Sequence, residues 1–341
     1  MTDLAEGGRL VESVLAEYGE RVARALDANL PDGILRDLLA DYPARGGRRL
    51  RPALCIAVAR AFGGRLEDAL GPAVAIEMLH NGFLIHDDIE DGSEARRGKP
   101  ALHVMHGVPI AINAGDALCH LALRPLLETG RSLGAEVGLR LIEETQRMGH
   151  RTVEGQALEL HWRDHNVLDV SEADFLQMIL DKTCWYTAIY PCRVGALVAL
   201  RRPIAHDAFV RFGFFLGAAF QIQDDVRNLT SDFTSYGKEI GGDLSEGKRT
   251  LQLVQLFADA SPDERERIEQ ILARPRSERT SEEIHWLYAA MVEHESLAYA
   301  EACSHGLAGA ALHEFELAFG ALPDSRDKRF IEALCRNVLE Q

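Results

Sequence analysis

An all-α fold follows from three properties of this chain. Apolar residues recur at helical spacing almost throughout, no convincing period-two strand occurs, and two long apolar stretches run straight into carboxylate clusters. Leu10, Val14, Tyr18, Val22 and Leu26 mark one face of a first amphipathic helix. The spacing predicts further helices at 51–62, 66–91, 108–129, 134–160, 171–181, 185–201, 205–229, 248–259, 263–273, 280–305, 307–319 and 326–338. Gly63-Gly64, Gly130, the Arg274-Pro275-Arg276 turn and Leu322-Pro323-Asp324 supply stop signals. Two connections are unusually polar: 94–106, with Arg96-Arg97-Gly98-Lys99-Pro100, and 230–248, with Lys238, Gly241-Gly242, Asp243, Gly247 and Lys248. Each follows a carboxylate cluster, where loops serve as lids or substrate clamps.

At 341 residues the length alone would suggest about two domains. No linker, low-complexity tract or repeat divides the chain, so 1–341 reads as a single domain of about a dozen helices. Acidic residues outnumber basic ones by 53 to 37, for a net charge of −16, which argues against nucleic acid as a main partner. Small polyphosphates remain possible ligands, because local arginines and metal ions decide their binding. Six scattered cysteines without a CxxC pair read as reduced thiols. Met-Thr-Asp-Leu-Ala-Glu at the start is neither basic nor apolar enough for a signal peptide. No stretch approaches the ~20 apolar residues needed to cross a bilayer. A soluble, cytoplasmic protein is expected.

The chemistry is carried by Asp87-Asp88-Ile89-Glu90-Asp91 and Asp224-Asp225-Val226-Arg227-Asn228, which follow the apolar stretches 74–85 and 210–222. Asp87 and Asp91 lie one turn apart on one face, where two charges ~5 Å apart repel by roughly 3 kcal/mol at an effective dielectric near 20. The first cluster also sits at a helix C-terminus, with Gly92 as the stop, and the macrodipole disfavours anions there. Something positive must reward the arrangement, and hard divalent cations with oxygen ligands fit best. If the two helices pack side by side, Asp87, Asp91 and Asp224 face one another across a cleft.

Basic groups come next. Gly46-Gly47-Arg48-Arg49-Leu50-Arg51-Pro52 opens a helix, with Pro52 in its first turn, where backbone amides and arginine forks attract phosphate. Arg96 and Arg97 lie just beyond the first cluster. His80 sits two turns before Asp87 on the same face, and Lys182-Thr183 and Phe220-Gln221 place polar groups in apolar helices, where they need partners. Together these describe two diphosphate sites, one bridged by metal and carboxylates and one held by arginines.

The ordered set of motifs resembles the trans-prenyltransferases, or isoprenyl diphosphate synthases, over about residues 40–250. It comprises Gly-Arg-Arg-Leu-Arg-Pro, Leu-Ile-His-Asp-Asp-Ile-Glu-Asp, Arg-Arg-Gly, Lys-Thr and Phe-Gln-Ile-Gln-Asp-Asp-Val-Arg-Asn. The resemblance implies a helical bundle around a central active-site cavity, a homodimer, and Asp87, Asp91 and Asp224 holding about three Mg²⁺ ions on an allylic diphosphate. It further implies that Asp88 and Asp225 support those ligands and that Arg96, Lys182 and Lys238 neutralise the leaving diphosphate. Thr183 and Gln221 would line the reacting end. Arg48, Arg51, His80 and Arg97 would bind isopentenyl diphosphate.

Relatives usually carry lysine at the position of Arg48 and a third aspartate at that of Asn228, where the amide keeps an oxygen but loses the charge. The terminal residues 337–341 lack the basic groups some relatives use. Asp-Asp-x-x-Asn together with 155–164 (Gly-Gln-Ala-Leu-Glu-Leu-His-Trp-Arg-Asp) most resembles the eukaryotic-type geranylgeranyl diphosphate synthases, which points to a twenty-carbon product. Phe83 lies about 6 Å up the helix from Asp87. Its ring either forms a floor that limits the product to fifteen carbons or packs against a neighbouring helix. Gly82, beside it, leaves space, and Leu79 lies a further turn up. A class I terpene cyclase and a non-catalytic synthase subunit are the alternatives. Arg51, His80 and Arg97 argue against the first, and the nearly complete carboxylate clusters against the second. His161 with His165, and His103 with His106, lack an obvious third ligand for zinc.

Overall fold

The computed structural model describes residues 2–230 and 241–339. Lys238 therefore lies outside the described residues. In order, the helices are α1 (Thr2–Asn29), α2 (Arg36–Ala44), α3 (Leu50–Ala61), α4 (Leu66–Glu90), α5 (Leu102–His106), α6 (Val108–Leu121), α7 (Leu123–Leu133), α8 (Ala135–Asp164) and α9 (Glu172–Ile179). A π-helix (Leu180–Ile189) leads into α10 (Tyr190–Leu200), followed by α11 (Val210–Thr230), α12 (Gly242–Glu246), α13 (Leu251–Asp259), α14 (Pro262–Leu272), α15 (Ser281–Glu293), α16 (Ser296–Phe319) and α17 (Arg326–Leu339). One apolar core runs through α1–α11, α16 and α17, and a smaller cluster centres on α13–α15. Val14, Tyr18, Val22 and Leu26 of the first predicted face are all buried.

Several boundaries differ from the sequence reading, each for a local reason. The stretch 108–129 is two helices, because the Pro125 ring would meet the carbonyl of Leu121 in a continuous one. Helix α11 begins at Val210 instead of 205, after Phe209 takes a left-handed φ of 62°. The C-terminal break falls at Glu295, with φ 56°, and Gly306 stays inside α16, where a Cβ would meet nothing. The short helices α2, α5 and α12 were not anticipated. Nor was the hairpin β1 (Ala95–Arg96) and β2 (Lys99–Pro100), whose two-residue Arg97-Gly98 turn has positive φ at both positions.

The predicted helices 171–181 and 185–201 are one continuous rod through the π-helix. π-Helical turns gather at functional sites, and this one carries Lys182, Thr183 and Tyr186. Glycines let its neighbours approach. A Cβ on Gly155 of α8 would stand 2.2 Å from the Lys182 backbone nitrogen, and one on Gly217 of α11 3.0 Å from Cys184. Gly155→Ala should therefore lower the unfolding free energy by about 1–3 kcal/mol in a denaturant titration. Gly149→Ala, on the same helix with nothing within 4 Å of its Cβ, should leave it unchanged or raise it.

Candidate active site

Two adjoining cavities lie between α3, α4, α8, the π-helix and α11. The larger, 370 Å³, is lined by the carboxylates Asp87, Glu90, Asp224, Asp225 and Asp243 and by the apolar Phe83, Leu84, Phe175, Met178 and Ile179. The smaller, 270 Å³, is lined by Arg48, Arg49, Arg51, Arg97 and Arg227, with Glu77. Arg51, His80, Thr183, Gln221 and Asp224 belong to both walls. Helices α4 and α11 do not pack side by side as expected but border the same cavities, which brings Asp87 and Asp224 to one carboxylate site beside a guanidinium site, whereas Asp91 is buried and does not line either cavity.

Each acidic group has a specific neighbour. Asp88 is fully buried, accepts from Tyr42 Oη and from Arg96 Nε (2.9 Å), and stands behind the cavity wall. Arg96, itself buried, also reaches Asp87 Oδ2 at 3.4 Å. Lys182 pairs with Glu159 and lies 3.9 Å from Asp87 Oδ1. Asp91 is buried too, with Arg163 Nη1 2.9 Å from Oδ1 and Lys248 Nζ 2.8 Å from Oδ2. Lys248 further pairs with Glu246 at 2.7 Å and Asp243 at 3.5 Å. Thr183 donates to Gln221 Oε1 (3.2 Å), and Gln221 donates to Asp225 Oδ1 (2.7 Å).

Negative charge still prevails. Burial, then the Asp87 charge, lifts the Asp91 pKa to about 6. Burial and Asp243 raise that of Asp225 well above the usual carboxylate range. Among the described residues no three carboxylate, histidine or cysteine side chains enclose an ion. The donor set nonetheless suits a hard divalent cation: it is all oxygen, and burial beside other carboxylates makes Asp91 and Asp225 resist ionisation.

The guanidinium site is pre-organised by packing. Arg97 donates to the carbonyls of Gly46 and Tyr42, and a Cβ on Gly47 would strike its Nη2 at 2.7 Å. Arg51 donates to Tyr186 Oη at 2.8 Å with its guanidinium 4.4 Å from the ring centroid. The His80 imidazole stacks on the same ring at 5.9 Å. Burial and the arginine charges push the His80 pKa well below its ordinary value, so the ring is neutral and its buried Nδ1 has no hydrogen-bond partner.

Three sequence expectations need correction. Gly82 does not open space toward the cavity; it lets α4 press against α6, since a Cβ there would meet Cys119 Sγ at 2.8 Å and Gly115 O at 3.0 Å. Leu79 is buried in the core. Asn228 is buried and its Oδ1 accepts from the Asp243 backbone at 3.2 Å, so the oxygen caps α12 instead of facing the site. Phe83 lines the cavity and also packs edge-on to Tyr186 at 6.0 Å. Sequence reasoning missed Tyr186, Glu159, Arg163, Asp243 and Lys248 as site residues. Lys248 and Asp243 sat in a loop already flagged by its charge, whereas π-helical spacing hid Tyr186. His161 and His165 face each other on α8 and its end at 4.3 Å, both exposed.

Residues 32–291 match the model of the polyprenyl synthetase family. The chain belongs to this family. It is 36% identical to a short chain isoprenyl diphosphate synthase of Methanothermobacter thermautotrophicus over 77% of this chain and 80% of the relative. A geranylgeranyl diphosphate synthase of Sulfolobus acidocaldarius is 38% identical over 64% of this chain, which spans 66% of that relative. Geranylgeranyl pyrophosphate synthetase from Pyrococcus horikoshii superposes with a TM-score of 0.83 at 28% identity, covering 97% of this chain and 99% of the other. Geranylgeranyl pyrophosphate synthase from Corynebacterium glutamicum, complexed with isoprenyl diphosphate and magnesium, superposes with a TM-score of 0.83 at 26% identity, covering 97% and 99%. Family membership makes the chain a prenyltransferase.

The Asp91 pKa has a consequence for stability. Its folded value near 6 exceeds the unfolded 3.8, so Asp91 weakens the metal-free fold fully above pH 6, and the penalty fades as pH falls toward 4. Asp91→Asn should therefore gain stability relative to wild type as pH rises from 4 to 6. Paired denaturation curves in EDTA read that difference, and a pH-independent gap would contradict it.

Proposed function

We propose that this prenyltransferase condenses isopentenyl diphosphate with an allylic diphosphate, chiefly to the twenty-carbon geranylgeranyl diphosphate, with the fifteen-carbon farnesyl diphosphate as the next product. The reading rests on one juxtaposition: a cavity lined by carboxylates and apolar side chains, joined through shared walls to a guanidinium-lined cavity. A terpene cyclase, which takes one diphosphate, has no use for the second.

The homoallylic substrate's diphosphate is held by Arg48, Arg51 and Arg97, with neutral His80 as a further donor. The allylic diphosphate would lie against the acidic clusters, where Asp87, Asp91 and Asp224 would hold Mg²⁺ and Asp88 and Asp225 would back them. When bound, the metal neutralises charge growing on the leaving group. Lys182 and Arg96 stand beside that oxygen cluster, and Lys238 is assigned the same task by resemblance. The allylic C–O bond breaks with its electron pair leaving on diphosphate. The double bond of isopentenyl diphosphate then forms the new C–C bond, and a proton passes to the departing pyrophosphate. Phe83, Leu84, Phe175, Met178 and Ile179 keep water from the cation. Thr183 and Gln221 line the reacting end, where both cavities meet.

The functional unit is a homodimer in the cytoplasm. Val104, Met105, Val108, Ile110 and Ile112 leave α5 and α6 with an exposed apolar face that a second copy would cover. Six free cysteines suit a reducing compartment, and no helix among the described residues is long and apolar enough to cross a membrane.

Purified protein incubated with Mg²⁺, labelled isopentenyl diphosphate and each allylic starter should incorporate label and yield chiefly the twenty-carbon product. Pyrophosphate release from the starter alone, with a hydrocarbon or alcohol formed, would overturn the reading. Asp87→Ala and Asp224→Ala should each lower turnover by about three orders of magnitude or more while keeping the far-UV spectrum. Phe83→Ala should lengthen the product; an unchanged distribution would show that the ring is no floor.

A further inference from the structure

The C-terminus of α4 is electrostatically the least favourable place in the molecule for a run of carboxylates, because the last helical carbonyls point at it. Two arginines from distant elements answer it. Arg163, in the last turn of α8, donates from Nη2 to the Glu90 carbonyl at 2.8 Å and from Nη1 to Asp91 Oδ1 at 2.9 Å. One guanidinium thus grips both the helix end and the side chain. Arg276, beyond α14, donates from Nη1 to the carbonyls of Asp91 (3.2 Å) and Gly92 (3.4 Å) and to Glu246 Oε1 (3.0 Å). Arg276 also ties the end of α4 to α12, where Glu246 holds Lys248.

We infer that Arg163 and Arg276 are positioning residues that fix the first carboxylate cluster for its cation, Arg163 by turning Asp91 so that Oδ2 is the oxygen presented. The inference rests on the function proposed above. Arg163 belongs to the 155–164 segment, whose Trp-Arg-Asp end that function leaves without a role. Its fork fits the task better than a lysine could, since one planar group must reach a carbonyl and a carboxylate together. With Oδ1 committed to Arg163, only Oδ2 remains, and Lys248 is the cation now beside it. Lys248 sits on a flexible stem and can move aside for a divalent ion, whereas Arg163 holds its two partners at fixed geometry.

Wild type, Arg163→Gln, Arg163→Lys and Arg276→Gln are titrated calorimetrically with Mg²⁺ at saturating inorganic pyrophosphate, and each melting temperature is taken separately in EDTA. Groups that orient metal ligands typically cost 10–100-fold in metal affinity when removed. Arg163→Gln should raise the half-saturating Mg²⁺ concentration about tenfold or more, with Arg163→Lys recovering part of the loss. Arg276→Gln should shift it in the same direction, and KM for isopentenyl diphosphate should stay within about twofold. A folded Arg163→Gln and Arg276→Gln pair that take up Mg²⁺ and pyrophosphate as wild type does, whatever their melting temperatures, would overturn the inference. A wild type without Mg²⁺-dependent pyrophosphate uptake would instead overturn the proposed function on which it stands.

Discussion

A surplus of buried negative charge governs the architecture around the end of α4. Asp87, Asp88 and Asp91 arrive there on an apolar helix, Asp224, Asp225, Asp243 and Glu246 approach from the other side, and Glu159 stands beside Lys182, eight carboxylates in all. Water reaches Asp87 and Asp224 at the cavity but not the buried Asp88, Asp91 and Asp225. The protein supplies cations from six separate places in sequence instead: Arg96, Arg163, Lys182, Lys248 and Arg276 directly, and Arg51 across the shared wall. They come from elements spread from α3 to the turn after α14. The remaining deficit of positive charge is what the proposed metal–diphosphate complex would supply, so that binding would also relieve the repulsion.

The neighbouring site solves the opposite problem. Arg48, Arg49, Arg51 and Arg97 repel one another and wait for an anion. Glu77, buried beneath them and 3.8 Å from Arg49, tempers the repulsion without filling the site. Tyr186 carries Arg51 on its ring face and His80 beside it, so one aromatic side chain sets two substrate-facing groups. The π-helical turn makes this possible by placing Lys182 and Thr183 and Tyr186 toward the same cavity wall.

Much of this was legible in the sequence because it is local. Helical periodicity gave most elements, and the conflict between carboxylates and a helix C-terminus pointed to a cation. What stayed hidden depends on partners remote in sequence or on backbone that departs from 3.6 residues per turn. Nothing near Arg163 announces that it meets Asp91, and nothing near Gly82 announces that Cys119 fills the space beside it. Asn228 looked like a weakened ligand and is a cap, because the backbone amide of Asp243, in the first turn of α12, lies fifteen residues later within the polar loop. The hairpin turn at Arg97-Gly98 escaped notice because each strand is only two residues long.

The central claim is that the charge surplus at α4 and α11 exists to receive divalent cations with diphosphate. Anomalous diffraction from crystals soaked with Mn²⁺ and pyrophosphate tests it most directly. Peaks between Asp87, Asp91 and Asp224, with diphosphate density reaching Lys182, are the result this account predicts. Ordered pyrophosphate with no anomalous peak between the two clusters, or metal bound only at surface histidines such as His161 and His165, would contradict it.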